Sequence, residues 1–172
     1  LYRFVENLVD YSKIFMEHND LNALNKENID LIINEKINLF KNLASENNNL
    51  IIYRKYNSQE ISLNKKAVGV IIHNLLDNAI KNTHFGKIII EVKFIKSKIY
   101  LSVEDNGTGM TDEIKNYYIN IVRNYEIDKL ALQNYGLGLH MVLELLRLLK
   151  GDLKIESKEG SGTKISIILD II

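Results

Sequence analysis

Residues 65–83 read Lys65-Lys66-Ala67-Val68-Gly69-Val70-Ile71-Ile72-His73-Asn74-Leu75-Leu76-Asp77-Asn78-Ala79-Ile80-Lys81-Asn82-Thr83. At about 100° per residue, Val68, Ile72, Leu75, Leu76, Ala79 and Thr83 gather on one side, so the spacing predicts a helix with a core face. Asn74, Asn78 and Lys81 fall within about 60° of one another, well away from that face. Most such columns are solvated helix surface. Two carboxamides and an ammonium in one column also suit a metal–triphosphate, with carbonyl oxygens for Mg²⁺ and the Lys for phosphate oxygens.

Working outward, residues 1–18 read as a helix, with Phe4, Leu8, Tyr11 and Phe15 at helical spacing. The polar stretch Glu17 to Asn28 breaks that pattern and marks a boundary between two units, 1–20 and 26–172. Ile29, Ile32, Ile33, Ile37, Phe40 and Leu43 mark a second helix that Asn47–Asn49 should end, followed by a strand over Leu50–Tyr56. Beyond the opening stretch, strands are predicted over Lys87–Lys96 and Lys98–Asp105 with a tight turn at Lys96–Ser97. Gly107 to Tyr135 shows no clean strand pattern. A further helix should run from Gly136 to Leu149, and strands over Asp152–Ser157 and Thr163–Asp170 flank a Gly-Ser-Gly turn. Alternation early and antiparallel hairpins late predict an α+β two-layer sandwich, with helices on one face of the sheet.

Six of the nine glycines fall in three triplets, Gly107-Thr108-Gly109, Gly136-Leu137-Gly138 and Gly160-Ser161-Gly162. One triplet is an ordinary turn; three at element edges suggest a backbone that approaches a bulky ligand closely. Gly136–Leu139 at a helix N-terminus adds free N–H groups suited to phosphate. No G-x-x-x-x-G-K-[ST] loop is present, which excludes a P-loop ATPase. In the strand before the first triplet, Ile99, Leu101 and Val103 alternate with Tyr100, Ser102 and Glu104. Asp105 continues the inward parity. A carboxylate so aimed needs a donor to offset its desolvation. A nucleobase amino group would serve, and so would its own Asp-Asn-Gly turn.

Composition restricts the function classes. Of 172 residues, 22 are basic and 22 acidic, which leaves no global field for nucleic acid or anionic lipid. The absence of Cys excludes disulfides and thiolate metal sites. No apolar run is long enough to span a bilayer. The chain opens on Leu1 rather than Met, as a piece of a longer protein would.

Four segments together resemble the histidine kinase and gyrase-type ATPase superfamily, whose members bind ATP in a Bergerat fold. His73-Asn74-Leu75-Leu76-Asp77-Asn78-Ala79-Ile80-Lys81-Asn82-Thr83 is similar to its N box, and Val103-Glu104-Asp105-Asn106-Gly107-Thr108-Gly109-Met110 to its first glycine box. Tyr135-Gly136-Leu137-Gly138-Leu139 is similar to the second glycine box, and Gly160-Ser161-Gly162-Thr163 to the closing G-x-G-T motif. Order and spacing match over about residues 26–170. The resemblance implies roles for these positions. Asp105 would accept the adenine amino hydrogen, and Gly109 would let the base approach. Asn78 would coordinate Mg²⁺ and Lys81 would contact phosphate. Gly107 belongs to the same box as Asp105. Gly136, Leu137, Gly138 and Leu139 would edge a mobile lid with backbone N–H groups, and Thr163 would stand near the adenine. Asn82 departs from the aromatic residue often found there. Tyr117, Tyr118 and Tyr125 only approximate the family's Phe-rich lid box, with Arg123 as a phosphate contact.

Asn74 separates two branches of the superfamily. Hydrolytic members have an acid here to deprotonate water, and a neutral carboxamide cannot act as a general base. The position therefore points to phosphoryl transfer onto a protein side chain, as in sensor kinases, where positioning and Mg²⁺ provide most of the catalysis. Leu8-Val9-Asp10-Tyr11-Ser12 looks like the end of such a kinase's second dimerisation helix. None of His18, His73, His84 and His140 fits the phosphoacceptor motif, and each is expected at the surface. The implied function is thus the catalytic domain of a two-component sensor histidine kinase. It would transfer the γ-phosphate of ATP to a histidine upstream of this chain, and be inactive alone. Implied partners are its own dimerisation and phosphoacceptor domain, a response regulator, and a second copy in a homodimer, but no nucleic acid. The implied placement is cytoplasmic, including the cytoplasmic part of a membrane-anchored sensor. The alternative is a non-catalytic nucleotide-binding module that transmits conformation through the N-terminal helix.

Overall fold

The computed structural model describes residues 2–16, 25–57, 60–124 and 137–171. In chain order these form α1 (Tyr2–Met16), β1 (Asn25–Asn28), α2 (Ile29–Glu46), β2 (Leu50–Lys55), β3 (Glu60–Leu63) and α3 (Lys65–Lys81). They continue with β4 (Lys87–Ile95), β5 (Lys98–Asp105), α4 (Asp112–Asn124), α5 (Leu137–Leu148), β6 (Asp152–Ser157) and β7 (Thr163–Asp170). Five strands make one mixed sheet in the order β2-β4-β5-β7-β6. Only β2 and β4 pair in parallel, because the chain between them crosses through α3. The remaining pairs are antiparallel. A separate two-stranded ribbon joins β1 to β3.

The alternation in β5 does what the pattern requires. Ile99, Leu101 and Val103 are buried, and Asp105 ends the same face. Register places Asp105 between Ile88 of β4 and Thr163 of β7. Ile88, Ile90 and Val92 of β4 and Ile165 and Ile167 of β7 extend this apolar surface, and it packs on α3 and α5. The β4–β5 hairpin closes as expected at Lys96, which takes φ +55 in the turn.

Helix α3 sits at the centre of the helical layer. Asn64 caps its first turn, its side-chain oxygen accepting the Ala67 N–H at 2.9 Å. At the other end Asn82 donates its backbone N–H to the Asn78 carbonyl. Asn47 and Asn49, just past the end of α2, donate side-chain N–H groups to the carbonyls of Ile80 and Thr83. The residues that stop α2 therefore also satisfy the open end of α3. Because α2, α5, the sheet and α1 all pack on it, α3 is buried over most of its circumference from Ala67 to Leu76.

That burial corrects two expectations. His73 and His140 are not surface residues: they are 6 % and 4 % exposed. His73 stacks edge-on against Phe40 of α2, and His140 shares a 2.8 Å hydrogen bond with the Tyr117 hydroxyl of α4. Only His84 is exposed as expected, and His18 lies outside the described residues. Three elements were also not assigned from the sequence. Strands β1 and β3 are four residues each, too short to show alternation. Helix α4 lies within the segment that showed no clean strand pattern, and Ile114, Tyr117, Tyr118, Ile121 and Val122 are its residues that pack on the core.

Candidate functional site

Between α3, the C-terminal end of β5, α4 and the first turn of α5 lies a cavity of about 210 Å³. Leu75 and Ala79 of α3, Val103 of β5 and Ile165 of β7 give it apolar walls, closed on the other side by Met110, Ile114, Tyr118 and Leu139. Its polar groups are few: Asn78, Asn82, Asp105 and Thr163. A concave site with apolar walls and a few placed polar groups is the usual form of a small-molecule site.

Asp105 supplies the one carboxylate among the described lining residues and is 8 % exposed. Burial raises its carboxyl above the ordinary aspartate value. The backbone groups of Gly107 and Thr163 and the Thr83 hydroxyl act in the opposite direction. The Gly107 N–H donates to its Oδ1 at 2.9 Å, so Asp105 both caps its own turn and faces the cavity. The sequence had left these as alternatives; one carboxylate has two oxygens and can do both. The fully buried Thr83 Oγ1 makes no hydrogen bond of good geometry, yet it stands close enough to favour the charged carboxylate. The carboxylate also lines the cavity, where it can accept from an exocyclic amino group.

Two glycine triplets form the floor. A Cβ on Gly109, which has φ +70, would come within 2.1 Å of the Lys158 carbonyl oxygen. Gly160 donates its N–H to the Thr108 carbonyl at 2.7 Å, and Met110 donates to Ser157 Oγ at 2.8 Å. The close approach made by these glycines is thus of one loop backbone to the other. Ser157 completes the junction by bonding the Gly162 carbonyl and the Thr163 hydroxyl. Nothing in the sequence singled out Ser157, and Thr83 was read only as part of the core face of its helix, because each reaches the site through a tertiary contact.

The remaining expected residues divide. Asn78 lines the cavity, and Gly138 lies against both Asn78 and Asn74, where an added Cβ would sit 3.4 and 3.1 Å from their side-chain oxygens. Leu137 and Gly138 begin α5, so their N–H groups have no intrahelical acceptor. Leu139 is buried and forms part of the wall. Asn74 does not line the cavity. It is 4 % exposed, accepts from Asn7 of α1 and donates to the Val70 carbonyl. Lys81 is exposed and paired with Asp77 one turn back at 2.5 Å. Gly136, Tyr125 and the side chain of Arg123 lie outside the described residues. Of the tyrosines expected in the lid, Tyr118 reaches the cavity and Tyr117 bonds His140.

Comparison with known proteins agrees with this geometry. Residues 64–171 match the family of histidine kinase-, DNA gyrase B- and HSP90-like ATPases. The sensor histidine kinase YvrG of Bacillus subtilis is 32 % identical over 129 residues, covering 74 % of this chain and 22 % of that protein. Hybrid signal transduction histidine kinase B of Dictyostelium discoideum is 27 % identical over 96 % of this chain, which spans 9 % of that protein. Among solved structures, the full-length histidine kinase ShkA in complex with AMPPNP superposes with a TM-score of 0.75 at 19 % identity, over 97 % of this chain and 35 % of that one. The nucleotide-free catalytic domain of histidine kinase ThkA gives 0.70 at 20 % identity, over 86 % and 95 %. At these identities the structural likeness speaks for the fold. The matched segment begins at the cap of α3, ends with β7 and encloses every wall of the cavity, and on these grounds the chain belongs to the histidine kinase-, DNA gyrase B- and HSP90-like ATPase family, as an ATP-binding catalytic domain of the sensor histidine kinase kind.

Proposed function

We propose that the cavity takes the adenine of Mg-ATP, with the Asp105 carboxylate accepting its amino hydrogens and Thr163 beside it. The observation that carries this reading is a buried carboxylate that faces a cavity walled by Leu75, Val103, Ile165 and Leu139. Leu75, Val103, Ile165 and Leu139 are suited to the faces of a base. The phosphates would then run toward the first turn of α5, where the N–H groups of Leu137 and Gly138 and the helix dipole favour negative charge. Gly136 and Lys81 are assigned to the same phosphates, Lys81 after exchanging Asp77 for a phosphate oxygen.

For the metal, the Asn78 carboxamide is a neutral oxygen ligand at the cavity wall. It fits Mg²⁺ that arrives already held by nucleotide phosphates. No cluster of three acidic or histidine ligands occurs among the described residues, in keeping with a metal that enters with its substrate. Magnesium would supply charge neutralisation of the transferred phosphoryl group. Asn74 and Lys81 are the proposed catalytic groups, acting by position and charge, since neither is a general base for water.

In the longer protein, residues 1–20 would be the end of a dimerisation and phosphoacceptor helix pair, and 26–172 the catalytic unit. The γ-phosphate would pass to a histidine outside this chain and onward to a response regulator. His73 and His140 are too enclosed to serve as acceptors, and His84 lies in no acceptor motif. Calorimetric titration tests the core of the reading. The 172-residue chain should bind ATP and ADP with Mg²⁺ in preference to GTP, and should incorporate no acid-labile phosphate when incubated with ATP. Absence of nucleotide affinity would remove the first part; self-labelling would remove the second. Asn78→Ala should lower the Mg²⁺-dependent part of affinity and leave the metal-independent part in place.

A further inference from the structure

Helix α1 lies outside the segment that matches the family, yet it touches the one N-box side chain that separates kinases from hydrolases. Among the described side chains of α1, Asn7 and Ile14 are buried, with Tyr11 half-buried between them, whereas Leu8 and Val9 are exposed. The spacing of four and three marks the stripe that packs on α3. An asparagine in such a stripe loses hydration and needs a partner. Its partner is Asn74: Asn7 Nδ2 donates to Asn74 Oδ1 at 3.1 Å, both side chains being buried.

This bond completes the enclosure of Asn74. Its amide nitrogen already donates to the Val70 carbonyl at 2.9 Å, one turn back on the same helix. Its oxygen, which also borders Gly138, is the atom a metal or a phosphate-bound water would need, and Asn7 occupies one of its two lone pairs and fixes its direction. Asn78, one turn further along α3, faces the cavity while Asn74 does not. We propose that Asn7 is a positioning residue of the nucleotide site: it holds Asn74 toward α1, so that docking of α1 and full engagement of Mg-nucleotide compete for the same carboxamide. A movement of the N-terminal helix is thereby read directly at the N box. The proposal rests on the assignment of the cavity to Mg-ATP.

Competition between two events is reciprocal, which gives two independent measurements on the whole chain. Asn7→Ala should strengthen Mg-ADP binding by about three- to tenfold, the range expected for one buried neutral hydrogen bond. The gain should vanish in an Asn74→Ala background and should shrink without Mg²⁺. Conversely, a nitroxide on Val9→Cys should become more mobile on saturation with Mg-ADP. Val9 is exposed, and the chain has no other cysteine to label. The labelling experiment leaves Asn7 untouched and so does not depend on the stability of the variant. An unchanged or weakened affinity in Asn7→Ala, a gain that persists in Asn74→Ala, or a nitroxide signal indifferent to nucleotide would each overturn the proposal. Failure of the unaltered chain to bind Mg-ADP by calorimetry would instead overturn the reading of the site beneath it.

Discussion

At the scale of single residues, Asp105 carries the most consequence. A carboxylate hydrogen-bonded to a bound base contributes about 1.5–3 kcal/mol, so Asp105→Asn should weaken ATP binding by about 10- to 100-fold and remove the preference over GTP, as titration would record. The same change should raise the melting temperature at neutral pH. Burial holds the folded-state carboxyl above its ordinary value, so the folded protein binds the proton more tightly than the unfolded chain does. Stability from this group therefore falls as pH rises from the ordinary aspartate range through the raised value, and an amide escapes that loss. Binding runs the other way with pH. Protonation removes the acceptor, so ATP affinity should decline on acidification earlier than a normal aspartate would allow, and a pH series on the wild type against Asp105→Asn would show the limb in the former only.

At the scale of elements, the two floor loops separate backbone strain from collision. Gly109 and Gly160 both have positive φ, but an added methyl strikes the Lys158 carbonyl at Gly109 and meets nothing within 4 Å at Gly160. Gly160→Ala should cost about 1 kcal/mol. Gly109→Ala should cost at least about 2–3 kcal/mol and displace the loop that carries Thr163, lowering nucleotide affinity as well as melting temperature. Helix α3 offers a second test. Removing its cap in Asn64→Ala should cost about 1 kcal/mol by chemical denaturation, with the denaturant slope unchanged. Helix α4 was not assigned from the sequence, although Ile114, Tyr117, Tyr118 and Ile121 recur at helical spacing.

At the scale of the whole molecule, one apolar layer joins the sheet to α2, α3 and α5, and the cavity is the place where that layer opens. A ligand seated there touches α3, β5, α4, α5 and β7 at once, so its binding free energy adds to the stability of the entire unit. Mg-ADP at about 100 times its dissociation constant should add about 2.7 kcal/mol, a rise of several degrees in melting temperature. Thermal denaturation with and without nucleotide measures this. The shift should be largely lost in Asp105→Asn. Among the described residues no helix is long and apolar enough to cross a membrane.

By itself the sequence determined the sheet's hairpins, the inward parity of Asp105, the start of α3 and the family, because each rests on spacing along one segment or on motif order. It could not determine what surrounds α3. Helical spacing assigned Asn74, Asn78 and Lys81 to one column, but burial depends on neighbours far away in the chain. The tertiary structure gave the three different fates: Asn74 enclosed by α1, Asn78 at the cavity, Lys81 in solvent with Asp77. It likewise buried His73 and His140 and brought Thr83 and Ser157 to the site. A residue's face follows from local periodicity. What that face meets follows only from how the elements pack.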